Sequence, residues 1–165
     1  MLRSDRAIIQ EHYPPGLQSC FGCGRGNAAG LQIGCWQEGG EVVTQWQPPD
    51  HLQGPRGMLH GGITALLMDE VASAAAFVEF HRRAGKSLGE MPPPFFVTAN
   101  LNIDYQLPVP ISGAVTLRAR PTEPRAPGSR KVWIECTLSC NERCAARSRV
   151  LLVRLPETSL ARERL

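Results

Sequence analysis

A chain of 165 residues with 42% hydrophobic side chains fits one compact domain with a real core. Its charge is close to balanced, 18 Lys and Arg against 15 Asp and Glu, with no basic block, which argues against nucleic acid as a partner. No apolar run reaches the roughly 20 residues of a membrane span. The nearest, 61–80, is interrupted by Asp69, Glu70 and Glu79, and the opening MLRSDRAIIQEHYPPG lacks the apolar stretch of a secretion signal. The expectation is a cytoplasmic protein with no membrane partner.

Residues 1–30 read as an irregular or partly helical lead-in, broken at Tyr13-Pro14-Pro15-Gly16 and looped by Gly22, Gly24, Gly26 and Gly30. Within it Cys20 and Cys23 form a CxxC. A second pair at ligand spacing is missing; Cys35 and a distant His12 are the further candidates, so packing is favoured over zinc. A hairpin follows, LQIGCWQ (31–37) and EVVTQWQ (41–47) around Glu38-Gly39-Gly40, ended by Pro48-Pro49-Asp50. After the loop HLQGPRGML, apolar residues Ile63, Leu66, Leu67, Val71, Ala74, Phe77 and Val78 recur at helical spacing, predicting a helix over 61–83. It is apolar nearly all round, hence central and buried, with His81, Arg82, Arg83 and Gly85 as its exposed C-terminal end.

A loop over 84–94 leads to four strands: FFVTANLNIDYQL, AVTLRAR, KVWIECTLSC and CAARSRVLLVRL. Their turns fall at Pro108–Gly113, PTEPRAPGS and Asn141-Glu142, the last a tight hairpin, and the polar tail from Pro156 is expected to fray. Cys136 and Cys140 share one face of their strand and read as small apolar side chains. The order, two strands, one long helix, four strands, is that of an α+β domain in which an antiparallel sheet wraps one helix. The divisions expected are a lead-in 1–30, a domain 31–155 and a tail 156–165. One sheet covers one side of a helix only, so its small-residue face, Gly62, Ala65, Asp69, Ser73 and Ala76, asks for a second subunit.

Helical phase, about 100° per residue, sets Glu70 in the apolar stripe toward the sheet and Asp69 about a quarter turn away on the small face. A carboxylate there suits a general base or nucleophile. The paired glycines Gly61-Gly62 suit either a tight turn or a helix N-terminus open to an anion.

LHGGITALLMDE resembles the hotdog-fold acyl-CoA thioesterases of the phenylacetate-degradation type, in which HGG is followed by a carboxylate eight residues after the first Gly; here His60-Gly61-Gly62 leads to Asp69. TANLNIDYQLPVP (98–110), with Tyr105 and Pro108, and CFGCGRGNAAGLQI (20–33) are similar to segments of the same family. The resemblance implies the hotdog fold, hydrolysis of an aryl- or medium-chain acyl-CoA, no metal or cofactor, and a homodimer or homotetramer with sites at the subunit interface. It implies Asp69 as the catalytic carboxylate, by direct attack or by activating water, of which water activation is the expectation, with the Gly61 amide polarising the carbonyl, His60 and Thr98 in supporting roles, and Gly62, Gln53 and Glu70 expected against substrate. Arg56, Arg82, Arg83 and Lys86 are candidates for the coenzyme A phosphates, none singled out. A hotdog hydratase would carry a D-x-N-x-x-H stretch, which is missing. A non-catalytic acyl-CoA sensor is the alternative, and retention of Asp69 counts against it.

Overall fold

The structure, a computed structural model, describes residues 6–122 and 128–156. The expected tail 156–165 and the middle of the 121–129 turn lie almost wholly outside the described residues. Six strands and one long helix follow in the order β1 (Trp36–Glu38), β2 (Glu41–Trp46), α1 (Gly61–Arg83), β3 (Phe96–Tyr105), β4 (Val115–Pro121), β5 (Lys131–Cys140) and β6 (Arg143–Arg154). They form one antiparallel sheet in the order β1-β2-β4-β5-β6-β3, with α1 packed across it. This is the hotdog architecture, and α1 has the bounds its sequence pattern predicts. No helix among the described residues is long and apolar enough to cross a membrane.

Period-two alternation builds the core. Val115, Leu117 and Ala119 of β4, Ile134, Cys136 and Leu138 of β5, and Val150 and Leu152 of β6 are all buried. They meet Leu67, Met68, Val71, Ala72 and Ala75 of α1 in one hydrophobic cluster. The intervening Arg118, Arg120, Glu135, Arg147 and Arg149 are exposed. Two-residue turns close both hairpins. Gly39 and Gly40 join β1 to β2, and Asn141 and Glu142 join β5 to β6, all four at positive φ. Across the first turn Glu38 opposes Glu41, and Arg118 donates to both carboxylates, at 2.8 and 3.2 Å.

The first strand is shorter than expected. Residues 31–35 take the lead-in, not a strand, as their main backbone partner: Ile9 N–H donates to Cys35 C=O at 2.8 Å, Cys35 N–H to Gln10 Oε1 at 2.8 Å and Ile33 N–H to Gly22 C=O at 2.9 Å, while only the Thr44 hydroxyl of β2 reaches Gly34 C=O, at 2.6 Å, among the described residues. The lead-in, with short 3-10 turns at Ile9–His12 and Pro15–Leu17, thereby lies over one flank of α1, where the Tyr13 ring packs at a tilt of 57° against Phe77, 4.9 Å between ring centroids.

β3 is an edge strand and contains a bulge. Thr98 pairs with Leu152 and Asn100 with Leu151, leaving Ala99 as the extra residue. Thr98 and Tyr105 are an odd number of positions apart, so a regular strand would send them to opposite faces. The bulge resets the alternation, and both side chains reach α1. The C-terminal end of α1 departs from expectation. His81 is buried at 1% exposure, its Nδ1 2.9 Å from Phe77 C=O, Arg83 is partly buried, and Arg82 and Gly85 face outward.

Candidate functional site

His60, Gly61 and Gly62 form the start of α1. His60 is the N-cap, and its Nδ1 accepts from Gly62 N–H at 2.9 Å. That bond leaves the ring proton on Nε2. Ile63 and Thr64 N–H both donate to His60 C=O. Gly61 N–H has no protein acceptor among the described residues, and Gly61 is exposed.

The two glycines have different tasks. A Cβ on Gly62 would stand 3.1 Å from His60 Nδ1, so its absence lets the ring cap the helix. A Cβ on Gly61 would meet nothing closer than Tyr105 at 3.8 Å. The fold does not demand glycine there; the open backbone faces outward. Tyr105, 52% exposed, donates its hydroxyl to Gly61 C=O at 2.9 Å and stands beside the open amide. The sequence pattern identifies Tyr105 only as part of a strand motif.

Two turns further on, half-buried Asp69 accepts from Thr98 Oγ1 at 2.7 Å. Burial pushes its carboxyl above the ordinary range, and the Thr98 hydroxyl pulls the other way. The partly accessible positions Gly62, Ala65, Leu66, Asp69 and Ser73 recur at helical spacing and make a stripe from the helix start to the carboxylate. Ala76, expected on the same face, is fully buried.

Glu70 does not face the sheet. Its carboxylate lies against the lead-in, where Cys20 Sγ–H donates to Oε1 at 3.4 Å and Gly22 packs on the side chain. The helical wheel assigns Glu70 to the apolar stripe because it cannot foresee that residues 13–23 cover that flank. Burial raises its carboxyl, weak bonds from Cys23 and Cys20 oppose the rise, and the charge of Asp69 adds to it. Asp69 and Glu70 line the same cavity of about 180 Å³, with Cys20, Cys23 and Thr98 in its wall and Tyr13, Phe77 and Phe96 as its apolar side.

Gln53 is not brought to this cavity. Its Oε1 accepts from Gly57 N–H at 2.7 Å and its Nε2 donates to Asp50 C=O at 2.8 Å, so the amide pins its own loop. Arg82 and Arg83 are engaged by Glu79, while Arg56 and Lys86 are exposed. The cysteine cluster with Glu70 is the feature that sequence reasoning missed. Its signal is CFGC, but the partner comes from fifty positions away.

Residues 56–124 match the family model described as the thioesterase superfamily. The chain is similar to the acyl-coenzyme A thioesterase THEM4 of Rattus norvegicus, 31% identical over 101 residues, which is 61% of this chain and 36% of that protein. It spans about a third of the length of the THEM4 relatives it matches. Among solved structures, a thioesterase superfamily protein from Shewanella loihica PV-4 superposes with TM-score 0.58 at 27% identity, covering 80% of this chain and 98% of that one. The E. coli PaaI protein of the phenylacetic acid degradation operon shares the fold, with TM-score 0.61 at 16% identity over 76% of this chain and 81% of that one. The chain has the hotdog fold of these structures, and its residues 56–124 are similar to the thioesterase superfamily.

Proposed function

We propose that the protein hydrolyses the thioester of an aryl- or medium-chain acyl-CoA, with Asp69 as general base and the Gly61 amide as oxyanion donor. The observation that carries the reading is a half-buried carboxylate, fixed by a hydroxyl, on the same helix as an exposed N–H with no acceptor among the described residues. Asp69 takes a proton from water as the oxygen bonds to the carbonyl carbon. The tetrahedral oxyanion accepts from Gly61 N–H, aided by the positive end of α1. Collapse breaks the carbon–sulfur bond, and the coenzyme A thiolate leaves with the proton held by Asp69. Burial favours this role, since a carboxylate with a raised pKa is the better proton acceptor.

The geometry also bears on assembly. Gly61 and Asp69 are about 12 Å apart along the helix axis, from a rise of 1.5 Å per residue. Both groups must lie near 3 Å from one reacting centre. The amide of one copy therefore works with the carboxylate of another, in a homodimer or larger homo-oligomer. The bare edge of β3, where Val97, Thr98, Ala99 and Asn100 are all exposed, is the surface a second copy would cover. His60 shapes the amide as its cap, Thr98 orients Asp69, and Gly62 gives the substrate room.

Free-thiol release over a panel of aryl and straight-chain acyl-CoAs tests the activity. Turnover that disappears in Asp69→Ala supports the assignment; an Asp69→Ala protein as fast as the parent overturns it. Tight binding of an acyl-CoA with no turnover would favour the sensor reading. Mixing Asp69→Ala with Gly61→Val restores hydrolysis if the two groups come from different copies. It restores none if each chain completes its own site.

A further inference from the structure

We infer that Cys20, Cys23 and Glu70 form a three-ligand site for a soft divalent cation of the zinc type, set in the wall of the cavity that Asp69 lines. Their ligating atoms all lie within 4.8 Å of one another. Cys20 Sγ and Glu70 Oε1 are 3.4 Å apart. Tetrahedral zinc with its usual bonds to sulfur and oxygen separates two such ligands by about 3.6 Å. The Cys23 sulfur lies within 4.8 Å of both, against about 3.8 Å between two sulfur ligands of such a shell.

The cluster is constructed by its loop. A side chain at Gly22 would overlap the Glu70 carboxylate, and one at Gly24 would overlap the backbone of Gln18 and Cys20. Both glycines of CFGCG are thus required, one to admit the carboxylate between the thiols and the other to fold the loop back onto Cys20. Gly24 N–H donates to Cys20 C=O at 3.0 Å, Leu31 N–H to Phe21 C=O at 2.8 Å and Ile33 N–H to Gly22 C=O at 2.9 Å, fixing the loop from both sides.

Charge supplies the second argument. Glu70 is 9% exposed, and no Lys, Arg or His pairs with it among the described residues. Thiols are weak donors and do little to offset a buried carboxylate. A cation held by two thiolates and the carboxylate would satisfy all three groups, and sulfur ligands select zinc over magnesium or calcium. A Cys20–Cys23 disulfide explains neither the carboxylate's position nor the glycine that admits it. Three protein ligands leave a fourth position, and all three residues line the cavity, so a metal-bound water would face that space. Cys35 and His12, the candidate third and fourth ligands beside the CxxC, are not needed. Cys35 lies outside the cluster, and His12 packs near Gly89.

The test is metal content, which stands or falls independently of hydrolysis. Full-length protein kept reduced with a phosphine is equilibrated with zinc, desalted and assayed for metal, and a second portion is loaded with cobalt. Stoichiometric zinc and a thiolate-to-cobalt absorption band are expected, both lost in Cys20→Ser and Cys23→Ser. Gly22→Ala retains every ligand but displaces Glu70, and should weaken zinc binding roughly 10–100-fold. It decides the matter if a serine variant fails to fold by circular dichroism. Folded parent protein that retains no zinc and shows no cobalt band overturns the proposal. So does zinc retained equally by the cysteine variants, by Gly22→Ala or by protein whose two thiols are already joined.

Discussion

Glu70 and Glu79 lie on the same helix and are almost equally buried, at 9% and 3% exposure, yet their surroundings differ. Glu79 accepts from Arg82 through two bonds of 2.6 and 2.8 Å and from Arg83 at 2.6 Å. Burial pushes its carboxyl up, but the two guanidiniums outweigh it and hold the group below the ordinary range. In the middle of the helix Asp69 has one hydroxyl and Glu70 only thiols, and burial prevails at both. The last turn neutralises its acid; the middle turn leaves two acids short of positive charge beside a cavity. Equal burial therefore says little about a carboxylate's role, and the donors around it say much more.

That contrast is open to direct challenge. The largest effect expected is from Asp69→Asn, which removes the base with little change in shape and should lower kcat by roughly 10²–10⁴-fold in a thiol-release assay. Glu79→Gln should leave kcat near the parental value, and a comparable loss there would erase the distinction between the two turns. Next comes Gly61→Pro. Position 61 is the first residue of the helix, where proline is tolerated, and His60 already has the extended backbone that precedes proline (φ −62, ψ 132). The substitution deletes one N–H and little else, so kcat should fall about 10²–10³-fold with a nearly unchanged melting temperature. Thr98→Val, which takes the hydroxyl from Asp69, should cost about 10–100-fold in kcat, the scale of one hydrogen bond to a charged group.

The smallest effect concerns stability. Because Glu79 has a lowered folded pKa, the native state holds fewer protons than the unfolded state as the group titrates. Its contribution is complete above the ordinary value of 4.5 and is lost as pH falls through the lowered one. Glu79→Gln should be less stable than the parent by about 1–3 kcal/mol at neutral pH, less whatever solvent screens at exposed Arg82. Urea melts across the acid range should show that gap closing, and a gap that is constant with pH would deny Glu79 its ion pairs.

Much of the fold was legible because local patterns and tertiary packing agree. Glycines at 61 and 62 open an uninterrupted helical run, and β4, β5 and β6 alternate cleanly between core and solvent. Asn141-Glu142 marks its hairpin by turn chemistry alone. Asp69 stood out by its spacing from Gly61. What stayed hidden depends on contacts distant in sequence. Nothing in FFVTANLNIDYQL shows that Ala99 is a bulge, and nothing in the helix shows that residues 20–23 cover Glu70. His81 reads as an exposed helix-end cation, but Phe77 and Phe80 enclose it. Gln53 looks available until its loop is seen closing on both ends of the amide.

The bulge at Ala99 makes β3 behave like a reading frame. Thr98, before the extra residue, serves Asp69, and Tyr105, after it, serves the helix start. Their spacing of seven positions fits one face only because Ala99 adds an unpaired residue; without it the two would be six positions apart, and a regular strand would present both to the helix. Segment length and bulge are therefore coupled: an odd spacing between Thr98 and Tyr105 needs the extra residue, and an even spacing needs a regular strand.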